Sequence, residues 1–175
     1  FFFKQKTAYE ILTCDWSSDV CSSDLSIALP DRFIVAVGRL ARQKGFDLLL
    51  RAFAALDDRD LHLVVLGKGP EESALRSLAV SLGVGGRFHL PGFLANPWPV
   101  VARAKSFCLS SRWEGFGHVV VEAMACGTPV VVSGCPHGPG EIVRNGIDGL
   151  VVTPDDWRLA WGTCGGATQI GRAHV

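Results

Sequence analysis

The sequence lacks most of the features that mark a function on first reading. It has no net charge, because 17 Lys and Arg are balanced by 17 Asp and Glu. That balance argues against a chain that holds nucleic acid or an anionic membrane by bulk electrostatics, although it leaves a local basic pocket open. No apolar run reaches the roughly 18 residues expected of a membrane-spanning helix. The opening FFFKQKTAYE lacks the charged, apolar, small-residue order of a secretory signal. The 6 cysteines form no C-x-x-C pair and no Cys/His cluster with zinc spacing. Cys108, Cys126 and Cys135 lie in or beside apolar segments, where a reduced cytosolic thiol behaves as a small hydrophobe. Gly67-Lys68-Gly69 is an incomplete dinucleotide fingerprint, without the third glycine or the downstream acid. There is no internal repeat.

Periodicity is also missing from both ends. Residues 1–25 and the closing QIGRAHV show neither a helical nor a strand pattern. Both resemble translated short-read sequencing adapters: Ile170–Val175 can be coded ATC GGA AGA GCA CAC GTC, and Asp19–Asp24 by its reverse complement. Residues 1–25 and 169–175 are therefore expected to be adapter-like tails without selected structure. The alternative for the first is a natural tail or a small loop closed by Cys14 and Cys21. The remaining 26–168 reads as one incomplete domain, long enough for a real core.

That insert alternates β-rich runs with helical patterns. Strands are expected at Phe33–Val37, Leu61–Leu66, Arg87–Leu90, Ser106–Ser110, Pro129–Ser133 and Gly149–Val152. Several are continuous apolar runs, as strands covered on both faces should be. Phe46, Leu49, Leu50 and Phe53 fall at helical spacing, and so do Leu75, Leu78, Ala79 and Leu82. Pro70, Glu71 and Glu72 suit the start of the second helix, and Gly83 its stop. This alternation predicts an α/β fold: a doubly wound, Rossmann-like parallel sheet with helices on both faces. Ligands of such sheets bind beyond the carboxyl ends of the strands, so the loops that follow strands are the ones to inspect.

The loop after the first strand carries Gly38, Arg39 and Lys44, and a helix begins near Gly45. Two cations beside a helix N-terminus suit a diphosphate, although the same residues would serve as solvated surface charges. The loop after the fourth strand carries Glu114 and a Gly115-Phe116-Gly117 turn, and a helix over His118–Ala125 places Glu122 one turn in. Helical side chains lean towards the N-terminus, so Glu122 is aimed back at the mouth where Glu114 sits. That helix is otherwise apolar and is expected to be buried. A buried unpaired carboxylate costs several kcal/mol, so Glu122 needs ligand hydroxyls, a cation or donors from a neighbouring loop. Asp58-Arg59-Asp60 precedes a strand, at the wrong end of the sheet for a metal-bound nucleotide, and reads as a solvated turn. His118 and His137 have no evident nucleophile beside them.

The segments VGRLARQKGFDLLLRAF, LVVLGKGPEESALRSLA, RFHLPGF, SSRWEGFGHVVVEAMACGTPVVVS and GEIVRNGIDGLVV together resemble the C-terminal, nucleotide-binding half of retaining glycosyltransferases of family 4, which have the two-domain GT-B fold. The resemblance implies transfer of a sugar from a nucleotide-sugar donor to an acceptor hydroxyl with retention of configuration. Arg39 and Lys44 then match the cations that hold the donor diphosphate, Glu122 the carboxylate on the ribose hydroxyls, and Glu114 the one facing the donor sugar. Gly38, Gly115, Phe116, Gly117 and His118 would line the sugar and phosphates. The loop near Leu90–Phe93 would contact the base, and Gly138–Glu141 would lie near the donor. The family implies no cofactor and no metal, a front-face attack on an oxocarbenium-like centre, and a glycan or lipid-linked acceptor held by an N-terminal domain not in this chain. The fragment alone is then expected to bind nucleotide without catalysing transfer. The location implied is cytoplasmic, with peripheral attachment at the inner membrane face through the other domain. Alternatives are a GT-B sugar-nucleotide epimerase, a glycosidase using the two glutamates, and a non-catalytic nucleotide-binding domain.

Overall fold

The computed structural model describes residues 28–135 and 137–153. Residues 1–27 and 154–175, where the expected tails at 1–25 and 169–175 fall, lie outside the described residues. Six strands, β1 (Phe33–Val37), β2 (His62–Leu66), β3 (Phe88–Gly92), β4 (Ser106–Leu109), β5 (Val130–Ser133) and β6 (Gly149–Val152), form one sheet in the order β3-β2-β1-β4-β5-β6. Every pairing is parallel. The order reverses between β1 and β4, which is the switch point where a doubly wound sheet opens a crevice.

Helices α1 (Phe46–Ala54), α2 (Glu72–Ser81), α3 (Trp98–Arg103), α4 (His118–Ala125) and the single turn α5 (Pro139–Ile142) connect the strands. Strand alternation divides the core in two. Ile34, Ala36, Leu63 and Val65 point to one face, where Leu49, Leu50 and Phe53 of α1 and Leu75 and Ala79 of α2 cover them. Phe33, Val35, Val64 and Leu66 point to the other, under Val100 and Val101 of α3 and Val120 and Ala123 of α4. The strands are apolar on both sides because each side is covered by helices.

The expected strands agree with the observed ones to within a residue or two, and α4 has the expected bounds. Three features differ. β3 continues through Pro91 to Gly92; it is the sheet's edge, where a missing N–H costs no ladder bond. α3 has six residues, too few for a helical repeat to be read. The expected burial of α4 holds for one face only: Val120 and Ala123 are buried, while His118 is exposed and the remaining positions are half-buried. No helix among the described residues is long and apolar enough to cross a membrane.

Candidate functional site

A cleft of about 980 Å³ opens at the carboxyl end of the sheet. Its walls come from the loops that leave β1, β2 and β3 and from the first turn and a half of α4. Gly38 and Arg39, Gly67 and Lys68, the run from Phe93 to Trp98, and Val119 with Glu122 all face it. Backbone crowding holds these loops together. A Cβ on Gly67 would lie 1.9 Å from the Gly38 carbonyl oxygen, and one on Gly69 2.2 Å from that of Leu40. Between them Leu40 N–H donates to Lys68 O (3.0 Å) and Glu71 N–H to Leu40 O (3.1 Å). The incomplete fingerprint is thus a packing device: its glycines let the β2 loop lie directly on the β1 loop.

The four residues expected to form the donor site are divided into two pairs. Arg39 and Glu122 both line the cleft. Arg39 is exposed and makes no ion pair with any described residue. Lys44 and Glu114 are closed on each other beside the cleft, in an ion pair whose side chains are 19% and 9% exposed. The Lys44 stem crosses Gly38, where an added Cβ would touch its Cδ and Cε at 3.4 Å. Ser111, fully buried, donates its hydroxyl to Glu114 Oε1 at 2.5 Å, and Ser133 Oγ of β5 donates to the Ser111 carbonyl at 2.5 Å. The carboxylate is therefore oriented from the sheet upwards, through the ends of two strands.

Glu122 has no hydrogen-bond donor among the described residues. Burial raises its pKa above the ordinary value, and the neighbouring His118 opposes that rise. A folded-state pKa above the unfolded one makes a contribution that is fully present below the ordinary carboxylate range and lost as pH rises through the raised value. Glu122→Gln is therefore expected to raise the melting temperature of the unliganded protein at neutral pH, and to match wild type below about pH 4. Thermal melts of both proteins across pH check this; an equal offset at every pH would overturn it.

The other expected residues lie around this centre at varied distance. Gly117 caps α4 at φ 84° and its carbonyl accepts the Val120 N–H at 2.9 Å, while the N–H groups of His118 and Val119 have no intrahelical carbonyl to bond. The Phe116 and His118 rings contact at 4.9 Å on the exposed rim, beside Gly115. Gly138 rests on that turn: a Cβ there would meet the Gly115 and Phe116 carbonyl oxygens at 2.8 and 2.9 Å. Glu141 is exposed, its carboxylate 3.9 Å from His137 Nδ1. Within the Leu90–Phe93 loop, the Leu90 side chain packs in the core with Phe88 and Leu75, because strand alternation turns it away from the cleft, while Phe93 and the residues up to Trp98 build the wall on that side. Lys68, set aside with its incomplete motif, stands in the cleft as a second exposed cation. Its position directly after a strand was the available signal. Asp58 bonds Arg32 at 2.9 Å and accepts the Asp60 N–H at 3.1 Å, a local turn before β2.

Comparison with known proteins bears on the family and the fold. The family model described as Glycosyl transferases group 1 matches residues 22–160. Over 130 residues the chain is 38% identical to the N-acetylgalactosamine-N,N'-diacetylbacillosaminyl-diphospho-undecaprenol 4-alpha-N-acetylgalactosaminyltransferase of Campylobacter jejuni, covering 74% of this chain and 35% of that protein. Over 123 residues it is 38% identical to the lipopolysaccharide core biosynthesis glycosyltransferase LpsE of Rhizobium meliloti, covering 70% of this chain and 35% of that one. Among solved structures, Anabaena HepE in complex with UDP and glucose superposes with a TM-score of 0.72 at 31% identity, over 79% of this chain and 40% of HepE. The chain spans about a third of the length of the curated relatives it matches.

Proposed function

The chain belongs to the group 1 glycosyl transferase family, and from that premise we propose that it is the donor-binding half of a retaining family 4 enzyme that transfers a sugar from a nucleotide-sugar to an acceptor hydroxyl. The observation that carries the reading is the meeting of Arg39 and Glu122 in one cleft at the switch point of the sheet. A cation and a carboxylate there suit the two ends of a ribosyl diphosphate. Glu122 accepts hydrogen bonds from the ribose hydroxyls, which supply the donors it lacks. Arg39 and Lys44 meet the charge that grows on the diphosphate as it leaves, so the step needs no metal and no cofactor. Charge stabilisation of this kind is often the largest catalytic contribution. Glu114, next to Lys44, faces the sugar, and positioning completes the work. The acceptor is a glycan or lipid-linked glycan held by a further domain; the name of the Campylobacter relative includes an undecaprenol-linked substrate. On this reading the present chain binds nucleotide and the whole protein turns it over.

The HepE structure contains UDP, which makes UDP the first probe. Adding UDP is expected to shift the amide resonances of Gly38, Arg39, Lys68, residues 93–98 and Glu122. An unchanged spectrum, or shifts confined to the opposite end of the sheet, overturns the donor-site reading. In the whole protein, product of inverted anomeric configuration overturns the retaining assignment. The same reading treats 1–25 and 169–175 as translated adapter, and genomic reads running through both junctions without adapter sequence overturn that part.

A further inference from the structure

The turn that carries Lys44 is bonded to a segment remote from it in sequence. Residues Arg42–Lys44 form a single 3-10 turn in which no residue is buried. Arg42 is exposed, and Gln43 and Lys44 are half-buried. The segment that leaves β4 donates a hydrogen bond to each of the turn's three carbonyls, in addition to the turn's own bond from Gly45 N–H to Arg42 O at 3.2 Å. Arg112 Nη1 donates to Arg42 O at 2.8 Å, Arg112 N–H to Gln43 O at 2.8 Å, and Ser110 Oγ to Lys44 O at 2.7 Å. Gln43 Nε2 answers with a bond to Trp113 O at 3.0 Å.

The Arg112 guanidinium is itself fixed. Its Nη1 and Nη2 reach the two carboxylate oxygens of Asp47, in the first turn of α1, at 2.8 and 2.7 Å. That bond to Arg112 holds the Asp47 carboxyl below its ordinary pKa. One planar group thus ties the turn that carries Lys44, the helix that follows it, and the strand exit that continues to Glu114. A lysine cannot reproduce the fork.

We infer that Arg112, clamped by Asp47, is a positioning residue of the donor site: it registers the Lys44 turn against the Glu114 loop so that the backbone carrying the cation is already in place beside the cleft. The inference rests on the donor-site reading above. Arg112 touches no substrate, and its effect passes through Lys44.

The test is a double-mutant cycle on UDP affinity, measured by titration of the chain as it stands. Arg112→Ala is expected to weaken UDP binding about tenfold, the scale of one lost charge-assisted hydrogen bond. Arg112→Lys keeps the charge but not the fork, and most of the loss remains. Asp47→Asn, which leaves the fold's packing untouched, gives a smaller loss in the same direction and serves if Arg112→Ala does not fold. In a Lys44→Ala background the Arg112→Ala change has little further effect, because the group it positions is gone. A merely structural arginine would cost the same factor in both backgrounds, and that additivity overturns the inference. So does unchanged affinity in Arg112→Ala or Asp47→Asn while Lys44→Ala still weakens binding. A wild-type chain that does not bind UDP overturns the donor-site reading and this inference together, and the two failures are told apart by that first titration.

Discussion

Replacing Arg39 and Lys44 together by alanine is expected to abolish the response to UDP, a loss of at least about 100-fold in affinity if each removes one hydrogen bond to a charged group. The two single variants are not equivalent. Arg39 stands exposed in the cleft with no ion-pair partner among the described residues, so it can meet an arriving phosphate without giving up another contact. Its removal costs binding and little else. Lys44 is already paired with Glu114, and a diphosphate must share it or draw it away. Lys44→Ala also leaves Glu114, 9% exposed, with the Ser111 hydroxyl and no cation. A stability loss of about 1–3 kcal/mol is expected alongside the binding loss, because an unpaired carboxylate is left part-buried. Arg39→Ala should therefore leave the melting temperature unchanged, whereas Lys44→Ala should lower it. Binding is measured below the melting temperature of the weaker variant. A UDP response in the double variant equal to wild type would remove the diphosphate from this site.

These expectations trace back unevenly to the sequence. The six strands are legible because a strand covered on both faces must be apolar throughout, and runs such as VVVS and HLVVL can satisfy no other place in the fold. α4 is legible because the Gly-Phe-Gly turn marks its start. The surroundings of Glu122 are less so: an apolar helix reads as buried, yet α4 buries one face and leaves Glu122 at the cleft. Leu90 shows the same limit for strands, since proximity to a ligand loop does not say which side of the sheet a residue faces. The contact between Asp47 and Arg112 joins residues 65 positions apart. Nothing local marks either member. It exists because β1 and β4 are neighbours in the sheet, and their exits must therefore meet. The same adjacency explains why Lys44 and Glu114, 70 positions apart, form a pair.

Gly45 is where that meeting is tightest, and Gly45→Ala is expected to be among the most damaging single substitutions in the chain. Gly45 ends the Lys44 turn and begins α1 at φ 62°. A side chain in the left-handed region costs about 1–2 kcal/mol by itself. Gly83, after the end of α2, has a similar φ of 71°, and a Cβ there would meet nothing within 4 Å. Gly83→Ala thus measures the conformational cost alone. At Gly45 the same Cβ would lie 2.2 Å from the Ser110 carbonyl oxygen and 3.2 Å from its carbon. Backbone atoms cannot rotate aside, so the turn and the exit of β4 must separate. The bond from Ser110 Oγ to Lys44 O, at 2.7 Å, is among the first to stretch. Gly45→Ala should therefore cost roughly 3–5 kcal/mol, in the range that only a named steric or polar fault produces. Urea unfolding of both variants separates the two contributions, provided the slopes agree with wild type. Equal losses at Gly45 and Gly83 would mean that the β4 exit yields freely. In that event the Lys44 turn would have no firm base, and the registration of the donor site through Arg112 would fail with it.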